Sequence, residues 1–231
     1  MYKYEMHLHT APVSKCAQKS VRENLTFYKE MGYDGVFITN HFIDGNLAID
    51  RSLPYAERVR FYLSDYEEGL CIGQEIGLKV FFGVENNFEG THFLIYGLTP
   101  QWFLEHPEIE NMKMSTQLAY FIEHGALVIH AHPFRSADRW IDHIRLFPKV
   151  THGVEVINAN RDEFTNKMAA VYAENYGFLT IGGTDNHLAG ENPSFAGIET
   201  EVPIASEADL RPILESGRSR VFSMENPLLN K

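Results

Sequence analysis

The sequence predicts an α/β fold in which strands alternate with helices, as in a βα barrel or a wound parallel sheet. Three segments place apolar residues at helical spacing and are each followed by a glycine and an apolar strand: 20–31, 115–124 and 163–176. The apolar runs at 35–39 and 126–129 are continuous, which is typical of parallel strands buried on both faces. With 231 residues, the chain is expected to form a single domain over 1–231.

Seven strands are predicted from apolar and β-branched runs, at 2–8, 35–40, 79–86, 91–97, 126–131, 153–158 and 179–183. The last segment is predicted to add a strand near 195–202, a helix at 206–216 and a closing strand near Val221. Residues 41–57 and 98–114 are less regular, and we expect loops or short helices over the site there. No repeat, low-complexity tract or linker interrupts the pattern.

Composition and charge exclude several classes of protein. The formal net charge is −11 and the chain has no Lys/Arg-rich run, which argues against binding of extended nucleic acid. Two cysteines, Cys16 and Cys71, do not indicate a disulfide framework, so a cytoplasmic location is expected. The first residues lack the apolar core of a signal peptide, and no apolar run approaches the roughly 20 residues that span a membrane.

Seven of the eleven histidines lie at or just past the end of a predicted strand: His7, His9, His41, His92, His130, His132 and His187. In His7-Leu8-His9, side chains at i and i+2 leave a strand on the same face, so both imidazoles can reach one cation. Zinc, iron and manganese all accept imidazole nitrogen. The alternative for this pair is two exposed strand histidines.

Two further motifs put ligand-type residues just past strands. Asp185 and His187 follow two glycines that let the backbone bend; an Asx turn would explain the aspartate but not the histidine. Pro133 ends the preceding strand and fixes His132 at its tip. His130 shares the face of His132 if the strand stays regular, or else it orients a ligand from behind.

Glu85 follows a strongly apolar run, where a charge is costly without a partner, and a carboxylate there can bridge two metals. His41 also follows a strand. In parallel βα folds, sites form at the carboxyl ends of the strands. His92 is the exception because it begins its apolar run. Either its strand runs antiparallel or it is not a ligand.

In chain order these motifs are H-x-H (7, 9), a histidine (41), G-V-E (83–85), a histidine (92), A-H-P (131–133) and G-T-D-x-H (183–187). The combination resembles the PHP superfamily, the polymerase and histidinol phosphatase family of metal-dependent phosphoesterases. The resemblance implies a distorted (β/α)7 TIM-like barrel holding two to three divalent ions, with Zn, Fe or Mn as candidates. It further implies three ligand sets: His7, His9, Glu85 and Asp185; Glu85, His92 and His132; His41 and His187.

The sequence departs from the family pattern at two positions. Family members often carry an acidic residue or a histidine shortly after H-x-H, where this chain offers Cys16. Thiolate is a good ligand for zinc or iron, so the cysteine is a candidate metal ligand, with a small buried residue as the alternative. The family often has aspartate before His41, where this chain has Asn40. That change bears on occupancy of the third metal.

The resemblance implies hydrolysis of a small phosphate monoester, as in histidinol phosphatases, by a metal-activated hydroxide. His132 and Asp185 are the expected catalytic residues, and Arg135 is expected to clamp the phosphate. Lys15 and Arg161 are expected on the same rim, although for Arg161 a solvated surface position is preferred.

Three other functions stay open from the sequence. One is a phosphodiesterase or exonuclease acting on nucleotides or short oligonucleotides. Another is a hydrolase of the amidohydrolase type, which would not predict Glu85 or the pairing of Asp185 with His187. The third is a metal-binding barrel without catalysis.

Overall fold

The computed structural model describes residues 1–43, 45–135 and 144–229, which fold around one nine-stranded sheet. The strands are β1 (Tyr2–Leu8), β2 (Gly35–Ile38), β3 (Lys79–Phe88), β4 (Thr91–Tyr96), β5 (Leu127–Ala131), β6 (Gly153–Asn158), β7 (Leu179–Gly183), β8 (Ser194–Thr200) and β9 (Ser219–Glu225). The helices are α1 (Val21–Glu30), α2 (Tyr55–Ile76), α3 (Pro100–Glu105), α4 (Met114–Glu123), α5 (Glu163–Tyr176) and α6 (Glu207–Glu215). Short 3₁₀ turns occupy Pro107–Asn111, Pro148–Val150 and Ala189–Glu191.

The order of the strands in the sheet is β7-β6-β5-β4-β3-β2-β1-β8-β9. The pairs β1–β2, β2–β3, β5–β6 and β6–β7 are parallel, whereas β4 is antiparallel to both β3 and β5. The end of β7 returns to β1, where the His9 amide donates to the Asn186 carbonyl over 3.0 Å and the Asn186 amide donates to the His7 carbonyl over 3.1 Å. Seven strands therefore nearly close into a barrel, and the predicted distorted (β/α)7 architecture is confirmed.

The carboxyl-terminal segment folds as the sequence predicts, with β8, α6 and β9 in the expected order. Strand β8 is antiparallel to β1 on one side and to β9 on the other. Helix α6 begins with a capping box, in which Ser206 and Asp209 satisfy each other's backbone amides. This segment extends the sheet beyond the seven barrel strands.

The barrel interior holds its own apolar cluster. It joins side chains from opposite sides of the sheet, such as Met6 on β1, Phe37 on β2 and Ile129 on β5, and it includes Leu210 of α6. The neighbour of Ile129 on β5, Val128, belongs instead to a cluster with the outer helices α2, α3 and α4. Both faces of the strand are thus buried, which explains the continuous apolar runs in the sequence.

Helix α2 has 22 residues and was not predicted as one element from the sequence. Two glycines lie within it, and glycine lowers helix propensity by about 1 kcal/mol relative to alanine. A Cβ on Gly73 would lie 2.6 Å from the carbonyl oxygen of Leu78, so the helix approaches the following strand through this residue. The glycines that weaken the sequence signal are required by packing. Within the described residues, no helix has both the length and the apolar character needed to cross a membrane.

The two irregular segments differ in where they lie. The described residues of 41–54 form a loop up to the start of α2, and Gly45, Asn46 and Arg51 line the main cavity, as expected. Residues 98–114 hold α3 and a 3₁₀ turn, and Phe103 packs against Phe42 and Phe82 in the outer core. None of the described residues lining the cavity comes from 98–114, so the expectation that this segment covers the site is wrong.

Candidate metal centre

The predicted ligands come together at one end of the barrel. His7 and His9 belong to the end of β1, Glu85 lies on β3, and His132 follows β5. The antiparallel direction of β4 brings its first residues to the same end as the carboxyl termini of its neighbours. His92 therefore faces the site from the start of its strand, and the antiparallel alternative is the correct one. The remaining members, which follow other strands, are His41, Asp185 and His187.

Glu85 lies at the centre of this cluster and is 1% exposed. Its Oε1 lies 2.6 Å from His92 Nδ1 and 3.3 Å from the Nε2 atoms of His7 and His132. Its Oε2 lies 2.5 Å from His41 Nδ1. Burial raises the pKa of Glu85, but the imidazoles of His92, His41 and His7 outweigh it and hold the pKa well below its usual range. The carboxylate is thus ionised and shared among four imidazoles.

A second convergence joins His7, His9 and Asp185. The Nε2 atoms of the two histidines are 3.2 Å apart, and they lie 3.6 Å and 3.3 Å from Asp185 Oδ1. Burial, together with His187 and His41, lowers the pKa of His9 well below its usual value, so this imidazole is neutral and can offer a lone pair. Two imidazoles and a carboxylate aimed at one point form a donor set that zinc, iron and manganese accept.

Positive φ angles at two of these residues show how the chain aims them. The φ angle is 28° at His132 and 56° at Asp185. Non-glycine residues in this region are strained by about 1–3 kcal/mol each, and such strain clusters at functional sites. At His132 the irregular backbone also ends the alternation of β5. His130 consequently points to the outer face, where its ring stacks on Phe93 at 4.6 Å, and it does not share the face of His132.

Among the described residues, four groups of side chains place ligand atoms within 4.8 Å of one another and can hold cations. They are His7, His9 and Asp185; His7, Glu85 and His132; His41, Glu85 and His92; and His9, His41 and His187. The ligand sets implied by the resemblance placed His92 with His132 and His41 with His187. The structure places all four of these histidines in the same cluster. It also places His41 and His92 together against the carboxylate of Glu85.

The fit of these residues to a cation rests on two buried atoms. Among the described residues, neither His41 Nδ1 nor Glu85 Oε2 has a hydrogen-bond partner, although the two atoms lie only 2.5 Å apart. Buried polar atoms normally have partners, and leaving one unsatisfied costs about 1–3 kcal/mol. A divalent cation that takes both atoms as ligands would satisfy both. The donor set therefore fits the metals that the motifs predicted.

Glu155 on β6 was not predicted as a site residue, yet it supports the centre from behind. Its Oε1 accepts the His7 Nδ1 proton over 2.9 Å, and its Oε2 accepts the His132 amide and Asn158 Nδ2, each over 3.0 Å. A carboxylate on the far nitrogen fixes the tautomer of a ligating histidine. The sequence did carry a signal, because Glu155 interrupts an apolar strand as Glu85 does.

Gly183 makes this arrangement possible at the end of β7. A Cβ at this position would lie 2.5 Å from His7 Cβ and 2.6 Å from Glu155 Oε1. The backbone of β7 can approach the His7–Glu155 pair only without a side chain there. The second glycine of the Gly-Gly-Thr-Asp motif is therefore explained by packing around the site.

Cys16 is half-buried, lines the cavity and hydrogen-bonds to His187 and His41. Burial raises the pKa of its thiol, but the hydrogen bonds with the two imidazoles outweigh it and lower the pKa to about 6. His187 Nδ1 donates to the Asp185 carbonyl over 2.8 Å, which leaves Nε2 available for a ligand. The alternative that Cys16 is a small buried residue is wrong, because the side chain is only half-buried and lines the cavity. Its role as a metal ligand stays a prediction.

Asn40 does not line the cavity. It is fully buried, and its Nδ2 donates to Asp65 Oδ2 over 3.1 Å and to Thr10 Oγ1 over 2.8 Å. Its Oδ1 accepts the Thr10 amide over 2.7 Å and the Ser14 hydroxyl over 2.8 Å. The asparagine fixes the loop after His9, so its departure from the family pattern affects loop support and does not remove a residue from the cavity wall.

A cavity of about 730 Å³ opens over the centre, and its described lining residues include Arg51, Arg135 and Arg161. The Arg161 guanidinium lies 3.1 Å from Asp185 Oδ2, so the preferred interpretation of this residue as solvated surface charge is wrong. Arg135 lies in the wall, as predicted for a phosphate clamp. Lys15 is exposed and is not among the described lining residues.

Solved structures show what this fold is similar to, whereas no protein-family model and no curated protein match the sequence. A two-domain protein from Bacteroides vulgatus, described as containing a predicted PHP-like metal-dependent phosphoesterase, superposes with a TM-score of 0.68 at 16% identity. The match covers 96% of this chain and 64% of that one, so this chain spans less than two thirds of its length.

Two other structures match over most of both chains. A putative metal-dependent phosphoesterase from Bifidobacterium adolescentis has a TM-score of 0.55 at 14% identity, with 91% of this chain and 95% of that chain covered. An amidohydrolase from Chromobacterium violaceum, solved with sulfate and no metal, has a TM-score of 0.56 at 13% identity, covering 94% and 97%. The chain therefore shares its fold with solved proteins named as PHP-like metal-dependent phosphoesterases, as the motifs predicted.

Proposed function

We propose that this protein is a metal-dependent hydrolase of small phosphate monoesters. The observation that carries the proposal is the cluster of histidines around Glu85 beneath a cavity walled by arginines. Imidazoles and buried carboxylates form a cation site, and guanidinium groups beside it favour an anionic substrate. Solved neighbours named as phosphoesterases agree with this combination of fold and site.

His7, His9, Glu85 and Asp185 would hold one divalent ion, and Glu85 with His92 and His132 a second. When bound, such ions supply Lewis acidity toward a phosphoryl oxygen and a water of lowered pKa. We propose zinc, iron or manganese as the ion, because these accept mixed nitrogen and oxygen ligands.

The chain's own residues would bind and orient the substrate. Arg135 would donate to the phosphoryl oxygens, which its planar guanidinium can do in bidentate fashion. Arg161 directs Asp185 into the site by its contact at 3.1 Å, while the imidazoles of His7 and His9 outweigh burial and hold the pKa of Asp185 well below its usual range. Glu155 holds His7 in one tautomer by accepting its Nδ1 proton. His132 and Asp185 are the residues whose loss should affect the reacting centre most.

The size of the cavity and the charge of the chain bear on the substrate class. A volume of about 730 Å³ lies within the roughly 300–1,000 Å³ typical of small-molecule sites. The net charge of −11 disfavours an extended polyanion, although the arginines make the wall locally attractive to one phosphate. A nucleotide phosphodiester would also fit by size, so it is the second candidate.

An activity assay on site variants tests the proposal. We expect turnover of phosphomonoesters by the metal-loaded protein, and a loss of at least about 100-fold in kcat for His132→Ala and Asp185→Ala, because each removes a group at the reacting centre. His124→Ala, at an exposed histidine away from the cavity, is the matched control and should retain full activity.

The substrate panel separates the alternatives. Phosphodiester turnover exceeding monoester turnover would favour the nucleotide candidate, and amide turnover alone would contradict a phosphoesterase. Wild-type rates in His132→Ala or Asp185→Ala, with circular dichroism unchanged, would show that the site is misassigned.

A further inference from the structure

We propose that Ser14 is a positioning residue of the metal centre, whose hydroxyl holds the His9 imidazole in the tautomer that keeps Nε2 free for a cation. Asn40 orients this hydroxyl, and Asp65 on α2 in turn anchors Asn40. The role rests on the metal-dependent function proposed above. Ser14 is not itself a candidate ligand and would act only through the ring of His9.

The backbone amide of Thr10 fixes the orientation of the buried Asn40 side chain. The amide nitrogen lies 2.7 Å from one terminal atom of that side chain. A backbone amide can only donate, so the atom facing it must be the carbonyl oxygen Oδ1. Nδ2 then donates to Thr10 Oγ1 over 2.8 Å and to Asp65 Oδ2 over 3.1 Å. The opposite orientation would set two donors against each other at the Thr10 amide.

The hydroxyl of Ser14 has one proton and two lone pairs, and its contacts use all three. Its Oγ lies 2.8 Å from Asn40 Oδ1, which can only accept, so the proton must go there. One lone pair accepts the His41 amide over 3.0 Å. The other faces His9 Nδ1 at 3.1 Å. Because the hydroxyl has no second proton to give, this ring nitrogen must be the donor.

His9 therefore carries a proton on Nδ1 and directs Nε2 into the centre. Its Nε2 lies 3.2 Å from His7 Nε2 and 3.3 Å from Asp185 Oδ1. His7 is held in the same way, because its Nδ1 donates to Glu155 over 2.9 Å. In water, the proton of a free histidine side chain favours Nε2, which here would put it where a cation binds. Each imidazole of the H-x-H motif thus has its ligand nitrogen selected by a partner behind the ring.

Asp65 fastens this network to helix α2. The residue is 1% exposed, and besides Asn40 its Oδ2 accepts the Thr10 hydroxyl over 2.7 Å and the Val13 amide over 3.3 Å. The Ser14 amide donates to the Thr10 carbonyl over 3.0 Å, which closes the loop on itself. The hydroxyl is therefore held in place by backbone and side-chain contacts on both sides, and the site needs little reorganisation to bind a cation.

Nitrogen-15 NMR reads the position of the proton directly. Long-range proton–nitrogen correlations of the imidazole rings distinguish a protonated from an unprotonated ring nitrogen. In the wild-type chain, with and without zinc, we expect the His9 proton on Nδ1, and His9→Gln identifies the signals by their loss. A proton on Nε2 in place of Nδ1 in the metal-free protein, or zinc bound through Nδ1, would overturn the proposal without any variant of Ser14.

Ser14→Ala removes the acceptor and leaves every candidate ligand in place. We expect the His9 proton to move largely to Nε2 in the metal-free protein. Zinc affinity should fall by about 10–100-fold, as it does when the support of a ligating histidine is lost. Thr39→Ala is the matched control, because Thr39 is as fully buried as Ser14 but its hydroxyl bonds to the backbone of Leu8. This variant should keep the wild-type proton position.

Asn40→Asp separates the position of the proton from the stability of the loop. An aspartate still offers an oxygen to Ser14 and to the Thr10 amide, so His9 should keep its proton on Nδ1. Its second oxygen would face the Asp65 carboxylate across the present 3.1 Å contact, so the urea midpoint of unfolding should fall. A shift of the His9 proton to Nε2 in Asn40→Asp, as in Ser14→Ala, would contradict the assigned direction of these hydrogen bonds.

The outcomes also separate this role from the proposed function. Zinc binding by the wild type, with equal affinity and an unmoved His9 proton in Ser14→Ala, would overturn the positioning role and leave the metal centre intact. Failure of the wild type to bind zinc would contradict the proposed metal dependence together with the positioning role.

Discussion

Glu85 and Glu155 are both almost fully buried, and each contacts more than one histidine of the site. Glu85 faces the imidazoles directly, as shown by its contacts with His92 at 2.6 Å and His41 at 2.5 Å. Glu155 contacts His7 from behind, through the ring nitrogen that points away from the other ligands. An ionised carboxylate at depth requires such partners, because its desolvation is otherwise too costly.

Replacing Glu155 by glutamine should weaken metal binding while leaving all the candidate ligands in place. The amide keeps the shape of the side chain but no longer accepts the His7 proton as a carboxylate does. Loss of such a supporting carboxylate typically lowers metal affinity by about 10–100-fold. Isothermal titration with Zn²⁺ checks this, with Glu163→Gln on the exposed start of α5 as the control. Equal affinity in wild type and Glu155→Gln would contradict the supporting role.

His130 gives a prediction about stability against pH. Burial lowers the pKa of its imidazole to about 3, far below the value of about 6.5 in an unfolded chain. The folded state therefore disfavours the charged ring. Its contribution to stability is complete above pH 6.5 and is lost as the pH falls from there toward 3, by up to about 1.4 kcal/mol per pH unit.

His130→Met removes this titration. Urea unfolding of metal-free protein at several pH values between 6.5 and 4.5 should show a shallower loss of stability in the variant than in the wild type. Parallel pH profiles for the two proteins would contradict a neutral buried imidazole at this position.

For single residues, the sequence predicted the candidate ligands but not the side chains that contact and orient them. The histidines and Glu85 were predictable because polar residues at strand ends stand out against apolar runs. The contact between Arg161 and Asp185 joins residues 24 positions apart, and no local pattern reveals such a pair. His130 was misplaced because the positive φ of His132 breaks the period-two rule.

At the level of elements, α2 and β4 are the helix and the strand whose prediction from the sequence was incomplete. The glycines of α2 weaken its helical signal, although packing against the following strand requires them. The direction of β4 depends on the turn before it, where Glu89 and Gly90 both have positive φ, at 48° and 85°. Two such residues form a tight hairpin, which reverses the chain and brings His92 to the site. The four residues between the predicted strands at 79–86 and 91–97 are too few for a parallel crossover, so the length of this connection alone favours a hairpin.

Gly73→Ala tests the packing of α2. An alanine would raise intrinsic helix propensity by about 1 kcal/mol, yet its Cβ would lie 2.6 Å from the Leu78 carbonyl. We expect the steric term to dominate and the free energy of unfolding to fall by about 1–3 kcal/mol. Chemical denaturation measures this, with Ser64→Ala on the exposed face of the same helix as the control. A stabilised Gly73→Ala protein would contradict the close approach.

Over the whole molecule, the barrel gathers residues from distant parts of the chain. The His7 carbonyl accepts a hydrogen bond from the amide of Asn186, just past β7, and the candidate ligands span positions 7 to 187. The chain carries a net charge of −11, and two of its carboxylates, Glu85 and Asp185, are buried in the centre. Bound divalent ions would offset that negative charge and make the site attractive to an anionic substrate.

The number of divalent ions bound per chain is the most direct test of a centre built around Glu85. Elemental analysis after reconstitution with zinc and removal of free metal should give about two to three ions per chain in the wild type. Glu85→Ala should lose at least one of them, because it removes the carboxylate shared by four imidazoles. Fewer than two ions in the wild type, or an unchanged content in Glu85→Ala, would contradict a multinuclear centre.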